Sequence, residues 1–268
     1  MIFIVLILCG LLAGILAGIF GVGGGILFTP VLFFLFNTLG ASDPVSWTIG
    51  TSLFCTFTAA FSSTVQQKNQ KNIYWRDGVK VGLFGAVGVY AGKQIVTSQY
   101  YTEDVFVTFF AIILVLVGVL FYRKGRSTVT LQKKAKKMGI VKSGIAGGIG
   151  GIIAALAGVG GGVVMVPFLN LGYRLPIIKA VSISSFAIVI ISLSGWMQFA
   201  FLSETQTGIT SYTIGYVDFG TGLPLIAGAL GGGMLGAKFG HSIPRHMLQI
   251  GFSILLALVA GLMIYNLI

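Results

Sequence analysis

Apolar residues run along this chain in long blocks separated by short polar breaks. The blocks fall at about 2–20, 26–39, 45–65, 79–98, 105–122, 141–157, 163–171, 178–202, 212–237 and 247–267. A helix that crosses the hydrocarbon core of a bilayer needs roughly 20 predominantly apolar residues, and most of these blocks approach or exceed that length. A transmembrane barrel would show short segments with period-two alternation instead. The pattern therefore predicts an all-α polytopic membrane protein. Two blocks, 26–39 and 163–171, are too short to span alone. Each follows a glycine cluster, Gly21-Val22-Gly23-Gly24-Gly25 and Gly158-Val159-Gly160-Gly161-Gly162, and each carries a proline at the same offset, Pro30 and Pro167.

That coincidence is an internal repeat. The stretch from Ala17 to Pro30 aligns with the stretch from Ala154 to Pro167. Farther on, Thr51-Ser52-Leu53 aligns with Ser184-Ser185-Phe186, Asp77 with Asp218 and Tyr122 with Tyr265. The chain divides into a first transmembrane repeat, 1–123, a basic linker, 124–140, and a second transmembrane repeat, 141–268.

Composition agrees with the membrane reading. The chain is 56% hydrophobic and 9% charged, with a mean hydropathy of +0.98, where soluble domains carry about a quarter charged residues. The net charge of +11 sits in short loops between apolar blocks, where topology signals lie, and no polar domain gathers it into a nucleic-acid surface. Cys9 and Cys55 fall inside apolar blocks and read as small hydrophobes. The first Lys or Arg is Lys68, so the basic start of a cleavable signal is missing and the apolar N-terminus is expected to belong to the folded chain.

Arg123, Lys124, Arg126, Lys133, Lys134, Lys136, Lys137 and Lys142 crowd the linker and its flanks. Basic loops stay in the cytoplasm, so the linker is expected there, in a cell (inner) membrane. Two arrangements then compete. If each half crosses four times, the halves are parallel and Lys93, Arg174, Lys179, Lys238 and Arg245 lie outside. If each glycine cluster tips a re-entrant hairpin followed by three transmembrane helices, the halves are inverted repeats. Of the 17 Lys and Arg, only Lys93 is then outside. The inverted arrangement is the expectation, with both termini outside.

Irregular backbone at membrane depth survives only where it is buried in protein or lines a cavity, and glycine lets the chain turn there and lets other groups approach it. The helix that restarts after the break offers unsatisfied N–H groups and a positive dipole end, which suits an anion. Two such breaks meeting near the midplane resemble the sites of carriers built from repeats. The candidate binding residues are thus Gly21, Gly23, Gly24 and Gly25 with Gly158, Gly160, Gly161 and Gly162. Other small-residue ladders, such as Gly10/Gly14, Gly88/Gly92, Gly147/Gly151 and Gly228/Gly232/Gly236, read as helix-packing seams. Gly231 to Gly236 matches G-x-G-x-x-G but follows no strand, so no dinucleotide site is expected.

Hydroxyls follow each break: Thr48, Thr51, Ser52, Cys55 and Ser62 in the first half, Ser182, Ser184, Ser185, Ser192 and Gln198 in the second. Thr51, Ser52, Ser184, Ser185 and Gln198 are added as candidate anion donors, against the alternative that such groups bond to their own helix or glue helices together. No Asp, Glu, Lys, Arg or His falls clearly at mid-membrane, so the charge of an anion would be met by backbone dipoles and hydroxyls. The same lack argues against an intramembrane enzyme. No cofactor and no metal is expected. Trp47, Trp75 and Trp196 read as interfacial anchors, with Trp196 the one placed to face a cavity.

The duplicated A-G-x-x-G-V-G-G-G-x-x-x-x-P pattern, the polar pair that follows it and the chain length resemble the TauE/SafE family of sulfite and organosulfonate exporters. The resemblance spans nearly the whole chain outside the linker. It implies export of sulfite, sulfoacetate, thiosulfate or a related small anion. It also implies that the family motif falls on Gly21, Gly23, Gly24, Gly25 and Pro30 and on Gly158, Gly160, Gly161, Gly162 and Pro167, with polar pairs at Thr51-Ser52 and Ser184-Ser185. The second pair departs from the commoner Thr-Ser. The expected partners are a small sulfur-containing anion and the lipid bilayer, with a homodimer left open and nucleic acid excluded. A passive anion channel or a carrier for another organic anion remains the alternative.

Overall fold

The computed structural model describes residues 2–20, 25–69, 74–125, 138–202, 209–240 and 245–265. The apolar blocks form helices, as backbone polar groups in hydrocarbon require. In the first half these are α1 (Ile2–Phe20), α2 (Gly25–Thr38), α3 (Pro44–Asn69), α4 (Trp75–Val96) and α5 (Glu103–Gly125). In the second they are α6 (Ile140–Ala157), α7 (Gly162–Pro167), α8 (Ile177–Ala200), α9 (Phe219–Gly240) and α10 (Arg245–Tyr265). A π-helical turn, Phe168–Gly172, extends α7 beyond Pro167.

Among the described residues four stretches are long and apolar enough to cross a membrane: 103–120, 140–157, 179–200 and 219–236. Phe3–Leu16, Gly25–Thr38 and Ile250–Tyr265 are shorter apolar helices. The 26 residues of α3 and 22 of α4 reach about 39 and 33 Å at 1.5 Å per residue, but Ser, Thr and Gly thread both. Leu83, Val87, Ile112, Val115, Leu258 and Ile254 stand exposed on the outside of the bundle, as lipid-facing side chains do.

Glycine seams set which helices touch. α1 lies along α9 and α4 lies along α6. Gly10 and Gly14 face the main chain of Leu225 and Ala229, while Gly232 and Gly236 face that of Leu11 and Ile15. Positions advance together, so α1 and α9 run in the same direction. The α4–α6 seam repeats this: Gly147 faces the main chain of Val81, Gly151 that of Gly85, and Gly92 that of Ile152. A side chain at any of these positions would meet backbone, which cannot fold away, so the ladders are packing devices. At the centre, α3 and α8 run in opposite directions, because Gly50 meets Phe199 whereas Leu53 meets Gly195. The remaining directions follow from Gly78 against Phe186 and Gly82 against Ile190, which make α4 parallel to α8. Hydrogen bonds from Asp218 N–H to Thr51 Oγ1 and from Cys55 Sγ to the Gly222 carbonyl make α3 parallel to α9.

Two expectations are corrected. The block at 212–237 is not one helix. Thr213–Ile214 pairs antiparallel with Val217–Asp218, turning at Gly215 with φ +52°, and α9 starts only at Phe219. Asp218 ends the ladder and caps the helix, its Oδ1 accepting the Thr221 N–H at 3.1 Å, the usual role of Asp before a first turn. Trp47 is not an interfacial anchor: it is fully buried between Phe36 and Tyr216, with ring centroids 6.2 and 5.4 Å away. Trp75 is exposed as expected. The bundle also holds a buried ion pair, placed at helix ends. Lys179 and Asp77, both buried, pair at 3.4 Å where the first turns of α8 and α4 meet.

Candidate functional site

The second glycine cluster is a sharp backbone reversal. α6 ends at Ala157, and Gly158, Gly160 and Gly161 take φ of +69°, +66° and +75°. Three left-handed residues among four would each cost an L-residue roughly 1–2 kcal/mol, which is the local reason for GVGGG. The Gly158 N–H closes α6 on the Ala154 carbonyl at 2.9 Å, and α7 restarts with the Met165 N–H on the Gly161 carbonyl at 2.9 Å. Gly21, Gly23 and Gly24 lie outside the described residues; Gly25 opens α2.

Hydroxyls and carbonyls of the two halves interlock here. Ser52 donates to the Gly158 carbonyl at 2.8 Å, and its oxygen lies 2.9 Å from Thr29 Oγ1, which also reaches the Gly25 carbonyl at 3.2 Å. With the Ser52 proton on Gly158, the Thr29 hydroxyl donates either to Ser52, linking α2 through α3 to the second break, or to its own helix at Gly25. Tyr101, in the loop before α5, donates to the Leu156 carbonyl at 2.8 Å. Burial pushes its phenol above the ordinary tyrosine range, so it stays a donor. Ser52 and Tyr101 therefore satisfy two of the carbonyls that the end of α6 leaves open. The breaks also touch directly: a methyl group on Gly25 would lie 2.7 Å from Thr56 Oγ1 and 2.8 Å from the Val159 carbonyl oxygen.

The candidate donors separate into those at the break and those away from it. Ser52 is at the break, holding its carbonyl. Ser184, one per cent exposed, has a hydroxyl with no hydrogen-bond partner and lies beside Gly162, 3.7 Å from where a Cβ would stand. Thr51 instead accepts the Asp218 N–H at 3.0 Å and fastens α3 to the start of α9. The repeat pairs Thr51 with Ser184 and Asp218 with Asp77, yet the matching bond is not made in the other half. There the Tyr74 N–H goes to Ser182 at 2.9 Å, Asp77 pairs with Lys179, and Ser184 is left over. Ser185 is buried next to it. Gln198 sits 14 residues, about 21 Å, farther along α8, donating to Ser194 at 2.8 Å, so it cannot share one small anion with Ser184. Trp196, near Gln198, packs against Phe54, Phe57 and Phe219, with ring centroids 5.7, 6.5 and 6.4 Å away.

Residues outside the sequence-based set also meet here. Thr29 and Thr56 have no hydroxyl at the aligned positions of the second half, Val166 and Val189, so a search for duplicated polar pairs passes over them. For Thr56 the available signal was its spacing of four residues from Ser52 along α3.

Glycine-seamed apolar helices, four of them among the described residues long and apolar enough to cross a membrane, and a buried, hydroxyl-lined backbone break define a helical membrane protein. Residues 6–263 match the family described as sulfite exporter TauE/SafE. The chain belongs to that family, and is a membrane transporter. It is 29% identical, over 96% of its own length and 92% of the relative's, to a probable membrane transporter protein of Methanocaldococcus jannaschii. A probable membrane transporter protein of Bacillus subtilis is 27% identical over 98% of both chains, and one of Haemophilus influenzae 26% identical over 95% of both. No solved structure matches the chain.

Proposed function

We propose that this transporter exports a small sulfur-containing anion, such as sulfite or an organosulfonate, across the cytoplasmic membrane by alternating access around the meeting point of its two glycine breaks. The observation that carries the reading is the contact of Gly25, at the start of α2, with the Val159 carbonyl of the second break. Breaks from opposite halves, lined by donors and by no unpaired cation among the described residues, suit an anion of low charge.

Helix directions favour inverted halves, 1–123 and 141–268, about the linker 124–140. α1 and α3 run one way and α4 the other; α6 and α8 run with α4, and α9 with α1. For α1 and α3 to share a direction, α2 must return to the side from which α1 started, as a re-entrant hairpin does. The same holds for α6, α7 and α8. With the basic linker in the cytoplasm, both termini lie outside, and the rocking of one half against the other opens the junction to each side in turn.

Counterflow of labelled sulfite tests this directly in proteoliposomes preloaded in turn with sulfite, sulfoacetate, taurine, sulfate and acetate. Accumulation driven by the sulfur anions is expected. No counterflow from folded protein removes sulfite as the substrate, and conductance far above a carrier's turnover makes the protein an anion channel.

A further inference from the structure

The last helices of the two repeats, α5 and α10, pack mainly on each other. Ser253 Oγ of α10 donates to the Gly118 carbonyl of α5 at 2.9 Å. Short connections reverse the chain after α4 and after α9. Those two helices run in opposite directions, so α5 and α10 are antiparallel. Beside their seam lies an open groove of about 680 Å³, lined by α5 from Thr108 to Leu120 and by Ile264 of α10. Every lining residue but Thr108 is apolar. A polar solute would meet one hydroxyl there, so the groove takes an apolar occupant.

Its length matches one leaflet. Thr108 to Leu120 covers about 18 Å of helix, against about 15 Å for half of the hydrocarbon core. Charge then gives the occupant a direction. Glu103 and Asp104 open α5 in the turn beyond the Thr108 end. Arg123 and Lys124 occupy its last turn, beyond the Leu120 end, and fall in line with Val119 and Leu120 by helical spacing. The first turn of α10 brings Arg245 and His246 to the same end. Measured from the Ser253–Gly118 bond, Arg245 is about 12 Å back along α10 and Lys124 about 9 Å onward along α5. One end of the groove is acidic and the other basic. A neutral apolar occupant is indifferent to that polarity, whereas an amphiphile with an anionic head is drawn to the basic end.

A second copy of the chain fits this face less well. Copies share one orientation in a membrane, so a two-fold contact here would set the basic turns of both against each other. Close helix association in lipid also relies on small residues. Ile112, Val115, Leu116 and Val119 instead stand half-exposed along the groove.

We propose that the α5–α10 groove is a binding site for one anionic phospholipid. An acyl chain lies along α5, and the phosphate sits at the end that carries Arg123, Lys124 and Arg245. Because α5 closes the first repeat and α10 the second, the bound lipid seals the joint between them. It also couples the stability of the transporter to the anionic lipid of its leaflet.

The test is native mass spectrometry of the full-length protein in detergent, titrated in turn with dioleoyl phosphatidylglycerol and dioleoyl phosphatidylcholine. The wild type is expected to bind its first phosphatidylglycerol about tenfold or more tightly than its first phosphatidylcholine. Val115→Trp fills the groove and removes apolar area that the acyl chain buries, so phosphatidylglycerol should bind about tenfold more weakly. Val87→Trp sets the same bulk on the outside of α4, where Val87 is 69% exposed, and should leave the affinity unchanged. Each Lys or Arg near an anionic surface contributes about fivefold, so Arg123→Gln with Lys124→Gln should cost about 25-fold for phosphatidylglycerol and nothing for phosphatidylcholine. Lys93→Gln, in the last turn of α4, is the charge control and should change neither. Equal wild-type affinity for the two lipids overturns the assignment. So does wild-type binding of phosphatidylglycerol in Val115→Trp or in the double variant. A dimer that Val115→Trp dissociates would also overturn it and give the groove to a second copy.

Discussion

Lys179→Met is expected to destabilise the folded protein by about 3–5 kcal/mol, the usual cost of stripping one partner from a buried ion pair. Lys179 is three per cent exposed, and its ammonium lies 3.4 Å from Asp77 and 4.9 Å from the centre of the Tyr74 ring. Methionine fills the aliphatic space but leaves the Asp77 carboxylate without its counter-charge. The position of Asp77 in the first turn of α4 offsets a part of that through the helix dipole. Pairing the change with Asp77→Leu removes the stranded charge, so the double variant should recover most of the loss, because a buried pair and an apolar pair of similar volume differ little in stability. Denaturant unfolding in detergent measures both. Equal stability of Lys179→Met and wild type would mean that the pair contributes nothing to holding α4 on α8.

Gly25→Ala should cut the initial counterflow rate about 10- to 100-fold while the protein remains folded and inserted. The added methyl would press within 2.7 Å of Thr56 Oγ1 and 2.8 Å of the Val159 carbonyl, and overpacking of that kind costs about 1–3 kcal/mol. The strain falls on the junction between breaks, where the halves are proposed to move. Gly161 is a poorer probe. Its φ of +75° and its contact with the main chain of Gly150 mean that a larger residue would disturb the backbone reversal along with any site. Gly261→Ala is the control: it lies in α10 with open space where the methyl goes, and should transport normally. A normal rate in Gly25→Ala would separate the break contact from transport.

Hydropathy alone located the helices well where a block is bounded by glycine, proline or charge. The expected 26–39 and 163–171 are the observed Gly25–Thr38 and the helix and π-turn through Gly172. It failed at 212–217, where Tyr-Thr-Ile-Gly-Tyr-Val carries Ile and Val enough to run on into the apolar helix after it. The β-branched residues and Gly215 were the only local marks of a ladder. The family too was legible, because a duplicated motif constrains order and spacing at once. What stayed hidden depends on tertiary contact. Asp77 and Lys179 are 102 positions apart, and no periodicity brings them together. Thr51 and Ser184 look equivalent in the repeat, but one is consumed by Asp218 and the other is not. Thr29 and Thr56 were passed over for the converse reason: valine stands opposite each of them in the repeat.

The most direct measurement is side-specific labelling of Ser184→Cys, in a chain whose native thiols are removed by Cys9→Ala and Cys55→Ser. A small membrane-impermeant thiol reagent would be applied to right-side-out and to inverted vesicles, with and without saturating methanesulfonate. A single anion site reached alternately from both faces is expected to give labelling in both preparations and protection by the anion in each. Labelling from one face only, at a rate that the anion does not change, would contradict it and leave the glycine junction as a structural joint.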